Sequence, residues 1–162
     1  MNVTLSFKIK TMKNIFDQSV TNEIIDRINK LTPTTKHLWG KMSVSQMLAH
    51  CNVSYELVYE EGKHPKGNAF MRFIIKLMAK GTVTSEKAYK QSLQTAPFFI
   101  MKEDKDFEAE KTRLINFITK TQELGKAYFD GKESHSFGML NKTEWNNMFY
   151  KHLDHHLRQF GV

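Results

Sequence analysis

Residues 141–162, NKTEWNNMFYKHLDHHLRQFGV, form the stretch that decides the fold. Large side chains recur there at spacings of three and four, which predicts an α-helix of about five turns. Asn141 and Glu144 have the spacing of a capping box at its start. The same predicted face carries His152 and His156 among four large apolar residues: Trp145, Met148, Phe149 and Phe160.

The two histidines on this face require an explanation. A buried neutral imidazole needs hydrogen-bond partners for its ring nitrogens, so two neighbouring ones in a core are costly unless they share a purpose. Residues four apart are neighbours on a helix surface, so His152 and His156 can both face one atom. A metal ion is the simplest such atom, although the same spacing also occurs in packed cores.

A third ligand is predicted on another helix. Periodicity and capping signals predict four further helices, over about 19–31, 43–61, 68–80 and 106–125. Ser43 and Gln46 form a second capping box, and His50 lies near the buried face of the helix that they begin. Few segments alternate with a period of two. The predicted class is therefore all-α, a bundle of four main helices with extra short elements.

The chain is predicted to be a single domain over residues 1–162, in which residues 1–16 are a short strand or an extended arm. Apolar residues are 40% and charged residues 25% of the sequence, as in ordinary globular proteins. The single cysteine, Cys51, excludes an internal disulfide and fits a reducing cytoplasm. No segment resembles a signal peptide, and the longest apolar stretch is too short to span a bilayer.

The third predicted helix carries both apolar and basic residues. Its apolar residues are expected to face the core: Phe70, Phe73, Ile74, Leu77 and Met78. Arg72, Lys76 and Lys80 would then form a basic outer face; a helix lying on a membrane surface is the alternative. The net charge of +7 includes no run of five like charges. The sequence therefore favours a solvated basic surface, with neither nucleic acid nor a membrane as partner.

Three histidines define the candidate site. His50, His152 and His156 would supply three neutral imidazole ligands, which suit zinc, nickel or another late divalent metal. Three protein ligands leave coordination positions open, as in catalytic rather than structural sites. No catalytic residue and no organic cofactor site is identified. His155 is predicted to lie outside the ligand set, Asp154 to be solvated and Cys51 to be a buried, inert thiol.

Other metal and nucleophile motifs do not fit. A zincin requires glutamate directly after its first histidine, and here Leu153 follows His152. A di-iron bundle requires Glu-x-x-His on two helices, and the one match, Glu61 to His64, lies in a predicted loop. The sequence also has no glycine-rich phosphate loop and no GxSxG motif.

Two segments carry a family resemblance: WGKMSVSQMLAHC at 39–51 and FGMLNKTEWNNMFYKHLDHHLRQF at 137–160. A histidine early in the second helix, about a hundred residues before a terminal His-x3-His, resembles the DinB/YfiT-like superfamily. Within it, the segments look like an uncharacterised branch, a domain of unknown function. The resemblance covers about residues 15–162, and its terminal segment is the most specific part.

The resemblance implies a four-helix bundle in up-down-down-up order. It also implies a divalent metal held in a pocket by His50, His152 and His156. All three histidines of the family pattern are present in this sequence. Characterised relatives include S-transferases and isomerases that use bacillithiol, mycothiol or glutathione, and a metal-dependent hydrolase. Relatives are often dimers, so a homodimer is implied as well.

The resulting prediction is a metal-dependent enzyme with a small-molecule substrate, such as a thiol S-transferase. The metal would stabilise the thiolate of a low-molecular-weight thiol. A hydrolase, in which the metal lowers the pKa of a bound water, is the alternative, although no convincing general base lies beside the histidines. A third possibility is a metal-binding or small-ligand-binding protein without turnover.

Overall fold

The computed structural model describes residues 12–162, and most of these residues are helical. The helices are α1 (Gln18–Asn29), α2 (Val44–Tyr59), α3 (Ala69–Thr84), α4 (Phe107–Phe129) and α5 (Lys142–Gln159), with a 3₁₀ turn at Pro97–Phe99. Two short antiparallel strands, β1 (Lys132–Ser134) and β2 (Gly138–Leu140), form a hairpin before α5. The prediction of a mainly helical chain is confirmed.

Both predicted capping boxes are present at the starts of α2 and α5. The Ser43 hydroxyl accepts a hydrogen bond from the Gln46 amide, and the Gln46 side chain accepts one from the Ser43 amide at 2.9 Å. Asn141 and Glu144 make the same reciprocal pair at the start of α5. Each cap satisfies backbone donors that a helix leaves free, a contribution of about 1 kcal/mol. These two starts fix the register of the helices that carry the histidines.

One apolar cluster joins α1, α2, α4 and α5. Tyr55 of α2 stacks on Phe149 of α5 with ring centroids 4.8 Å apart, and Phe117 of α4 stacks on the other side of Tyr55. Ile24 and Ile28 of α1 are completely buried in the same cluster. Large buried side chains cost several kcal/mol each when deleted, so this packing holds α2 against α5 at a set distance.

The orientation predicted for α3 is wrong. Phe70, Phe73, Leu77 and Met78 were expected in the core, but each is 60% to 77% exposed. Of the five residues predicted to face the core, only Ile74 is half-buried. The side of α3 toward the rest of the molecule ends at the buried Thr84 and carries half-buried residues, both apolar and basic: Arg72, Ile75, Ala79, Lys80 and Val83. The larger side chains therefore form the outer surface.

Other differences lie in the connections. The segment before α5 contains the hairpin, and α4 continues beyond the predicted end at residue 125, where Gly125 kinks it with a φ of +70°. In the connection before α2, Leu38 is 71% exposed. Of the predicted arm, residues 1–11 lie outside the described residues, whereas Ile15 is completely buried and its amide donates to Asn146.

None of the helices within residues 12–162 has the length and apolar character needed to cross a membrane.

Candidate metal centre

Three histidine side chains converge where α2 packs against α5. His50 projects from α2, and His152 and His156 project from successive turns of α5. Their ring centroids are 4.6 to 4.9 Å apart, and one nitrogen from each ring lies within 4.8 Å of the others. The structure therefore brings together the three residues that the sequence predicted as ligands.

Each ring is held through its Nδ1 atom. The Phe99 carbonyl accepts from His50 (2.9 Å) and Gln159 Oε1 accepts from His156 (2.8 Å). The Ser54 hydroxyl lies 2.9 Å from His152 Nδ1 and accepts in the tautomer that leaves Nε2 without a hydrogen, or donates in the other. A neutral imidazole that donates from Nδ1 has a free lone pair on Nε2. This is the arrangement by which proteins orient histidine ligands toward a metal.

The Nε2 atoms of His50 and His152 are 2.9 Å apart. If both Nδ1 atoms carry the ring hydrogen, two lone pairs face each other at this distance. Such a contact is repulsive unless a proton or a cation lies between the rings. The donor set of neutral imidazoles therefore fits a late divalent metal, which prefers nitrogen ligands of this kind.

Burial keeps the three imidazoles neutral. Burial, with a smaller contribution from the neighbouring His50, lowers the pKa of His156 to about 3. Burial, followed by repulsion from His156 and His50, holds the pKa of His152 well below its usual value. The pKa of His50 is also lowered by burial. Neutral rings are the form that binds metals, so the site is prepared for a cation at neutral pH.

The Gln159 side chain is itself fixed. Its Nε2 donates to the Trp39 carbonyl at 2.8 Å, which turns its Oε1 toward His156. The main chain at Gly40 passes very close to the Gln159 side chain, and a Cβ added there would lie 2.4 Å from Gln159 Nε2. The φ angle of Gly40 is +90°. Only glycine fits both this conformation and this approach. The loop before α2 thus sets the orientation of a ligand on α5.

Aromatic rings surround the site. Phe99 lies against His50 and His152, with ring centroids 5.1 and 5.8 Å away. His155 packs edge-on between Trp39 and Tyr89, next to the His156 ring. His152 remains partly exposed to solvent, whereas His50 and His156 are buried. The site therefore lies in an apolar surrounding, and His152 is the least buried residue of the three.

Other predicted residues lie outside the histidine cluster. Cys51 is buried next to Met47, and burial raises the pKa of its thiol, so the prediction of a buried, unreactive cysteine is confirmed. Asp154 was expected to be solvated, but it is half-buried and pairs with Arg27 at 2.9 Å. The partner lies on α1, a long-range contact that the pattern within α5 does not reveal.

The sequence did not identify the three acceptors that orient the rings. Ser54 follows His50 by four residues, and Gln159 follows His156 by three, so helical spacing places each near the site. A search for acceptors at these spacings would have found both. The Phe99 carbonyl is a backbone group in a connection, and no side-chain pattern marks it.

A family model matches residues 11–161, nearly the whole chain. The chain belongs to the family described as "Protein of unknown function (DUF1569)". No curated protein and no solved structure gives a significant match. The triad lies within the part of the chain that the family model covers, on two helices about a hundred residues apart.

Replacing Ser54 by alanine is expected to weaken metal binding about 10- to 100-fold. The change removes the hydrogen bond that orients His152 but leaves all three imidazoles, and loss of such an outer contact typically has this effect. Competition with a zinc-binding dye measures the affinity. Ser45→Ala is the matched control because Ser45 lies on the same helix, is also buried and contacts the Ser43 hydroxyl instead. Equal affinities for the two variants would contradict this role of Ser54.

Proposed function

We propose that His50, His152 and His156 bind one divalent metal, zinc or nickel, through their Nε2 atoms. The observation that carries this proposal is the convergence of three imidazoles, one nitrogen of each lying within 4.8 Å of the others. With Phe99, Ser54 and Gln159 accepting from the Nδ1 atoms, all three Nε2 lone pairs are free for a metal. Lowered pKa values keep the donors neutral.

The fold that we propose is the DinB/YfiT-like four-helix bundle in up-down-down-up order, formed by α1, α2, α4 and α5. Contacts among these four helices around one apolar cluster support the arrangement, while α3 packs on α5 from outside. The resemblance of the segments around His50 and around the terminal pair supports it further. The same resemblance is the ground for expecting a homodimer.

The activity that we propose is transfer of a low-molecular-weight thiol to a small electrophilic substrate. When bound, the metal would stabilise the thiolate form of the thiol, which is the reactive nucleophile. The protein's own part is to hold the three imidazoles in a fixed orientation, through Phe99, Ser54 and Gln159. The partly exposed side of His152 is where small molecules would enter.

The surroundings of the triad favour transfer over hydrolysis. A metal-dependent hydrolase usually needs a general base near the metal, and the acceptors on the three rings are a carbonyl, a hydroxyl and an amide. No carboxylate bonds to these rings within residues 12–162. A thiol with a metal-lowered pKa needs no strong base at neutral pH. Hydrolysis remains the second candidate.

Turnover assays with the zinc- or nickel-loaded protein test the activity. An electrophile such as monochlorobimane is offered with bacillithiol, mycothiol or glutathione, and a chromogenic ester is offered without thiol. Thiol-dependent conjugation that is lost in the metal-free protein supports transfer. Ester hydrolysis without thiol favours the hydrolase. Retained metal with neither activity, over a range of electrophiles, favours a binding protein without turnover.

A further inference from the structure

The outer face of α3 is an apolar surface in contact with solvent. We call it the α3 outer face, and it consists of Phe70, Phe73, Leu77 and Met78. Their spacing places them along one side of the helix, and they are 60% to 77% exposed. Single exposed apolar residues are common, but a continuous row of large ones marks an interaction surface.

Polar contacts fix the orientation of α3. Arg72 pairs with Glu133 of the hairpin at 3.0 Å, and Lys80 pairs with Glu144 at the start of α5 at 2.9 Å. Near the end of α3, the Asn147 side chain donates to a backbone carbonyl of the helix at 2.9 Å. The helix is therefore attached by its polar side, and a simple rotation that buried the α3 outer face would break these contacts.

Basic residues are concentrated in α3 and in the segments that precede and follow it along the chain. Residues 62–105 contain nine lysines and arginines but three acidic residues, so this segment carries nearly all of the net charge of +7. No acidic residue lies on α3 itself. Six exposed lysines of the segment form no ion pair within residues 12–162: Lys66, Lys76, Lys87, Lys90, Lys102 and Lys105.

This combination favours one kind of partner. A second copy of the chain, paired through α3, would bring two basic segments together without acidic residues on either helix to balance them. An anionic lipid bilayer offers both an apolar interior for Phe and Leu side chains and phosphates for lysines. Lysine and arginine near such a surface each add about 1 kcal/mol of attraction, and apolar burial adds to it.

We propose that the α3 outer face docks on the surface of an anionic membrane. The helix lies in the plane of the bilayer, its apolar side chains enter the boundary between headgroups and acyl chains, and the flanking lysines contact phosphates. From the sequence alone, no membrane partner was expected, because these apolar side chains were predicted to lie in the core. Their exposure in the structure removes that reason.

Vesicle co-sedimentation with the full chain tests the proposal. Vesicles of phosphatidylcholine with one quarter phosphatidylglycerol are compared with vesicles of phosphatidylcholine alone. The protein is expected to bind the anionic vesicles and to lose most of this binding when the anionic lipid is absent. Raising the salt concentration should weaken binding, because screening reduces the lysine contribution.

A matched pair of variants separates insertion from simple charge attraction. Leu77 is 72% exposed and Leu38, outside α3, is 71% exposed, so replacing either by serine should leave the fold intact. Leu77→Ser is expected to weaken binding to anionic vesicles at least about tenfold, since burying a leucine contributes about 1.5 kcal/mol or more. Leu38→Ser should bind like the wild type. Circular dichroism and metal content are measured to confirm that both variants are folded.

Three results would overturn the proposal. The first is no binding to anionic vesicles at low salt, and the second is equal binding by the Leu77→Ser and Leu38→Ser proteins. The third is a vesicle-free dimer, seen by light scattering, that Leu77→Ser dissociates and Leu38→Ser does not. In that case a second copy covers the α3 outer face.

Discussion

The His152→Ala protein is expected to lose its metal during purification, whereas the wild type keeps about one equivalent. The His152 ring contacts both other histidines of the triad, with ring centroids 4.9 and 4.8 Å away. Removing an acceptor outside the ligand set costs about 10- to 100-fold in affinity, so removing a ligand should cost more than 100-fold. Elemental analysis of protein made without a histidine tag measures the metal content.

The matched control for this experiment is His155→Ala. His155 is on the same helix and next to a ligand, but its ring packs against Trp39 and Tyr89 and lies outside the proposed ligand set. The variant should retain metal, so any loss caused merely by removing a histidine from this helix would appear here as well. A wild type that binds no zinc or nickel, even after incubation with the ions, would contradict the proposed site.

Acid is expected to destabilise the metal-free protein between about pH 6.5 and pH 3, and His156→Gln should reduce this loss. The pKa of His156 falls from 6.5 to about 3 in the folded chain, mainly through burial. The unfolded chain therefore binds a proton that the folded chain excludes. The stability associated with the neutral ring is present above pH 6.5 and is lost as the pH falls toward 3.

The size of this effect can be estimated. One pKa unit corresponds to about 1.4 kcal/mol, so lowering the pH from 7 to 4 should remove up to about 3 kcal/mol through His156 alone. Urea unfolding in EDTA at pH 7, 6, 5 and 4 measures the free energy of unfolding. The curve for His156→Gln should be flatter by that amount.

Acidic groups affect the free energy of unfolding at lower pH, and they do so equally in the wild type and in His156→Gln. Burial alone would raise the pKa of Glu56, but hydrogen bonds from Lys63, His64 and Arg113 outweigh it and hold that pKa below its usual value. Its stabilising effect is therefore lost only below about pH 4.5. Parallel curves for the wild type and His156→Gln above pH 4.5 would show that His156 does not exclude a proton in the folded state.

The parts of the fold that the sequence predicted depend on local signals. The starts of α2 and α5 follow from capping boxes, which act within four residues. The convergence of the triad follows from helical period together with one assumption, that the aromatic side of α5 faces α2. Stacking of Phe149 on Tyr55 shows that this assumption holds.

The orientation of α3 and the contact between Phe99 and His50 were not predicted, because the sequence around each of them is compatible with more than one packing. The helix α3 has apolar residues on two sides, and hydrophobicity alone favours burying the larger ones. The observed orientation instead brings Arg72 to Glu133 and Lys80 to Glu144, and both partners lie far away in the sequence. The Phe99 carbonyl at His50 is likewise a long-range backbone contact. Pairings of this kind have no local signature.

The positions of the ligands along the chain also set the order in which the site forms during synthesis. His152 follows His50 by 102 residues. At about 5–20 residues per second, His50 leaves the ribosome some 5–20 seconds before its partners. During this interval α2 exists without α5, and a lone imidazole holds a metal only weakly. Capture of the proposed metal by all three histidines would therefore have to wait until α5 has been translated.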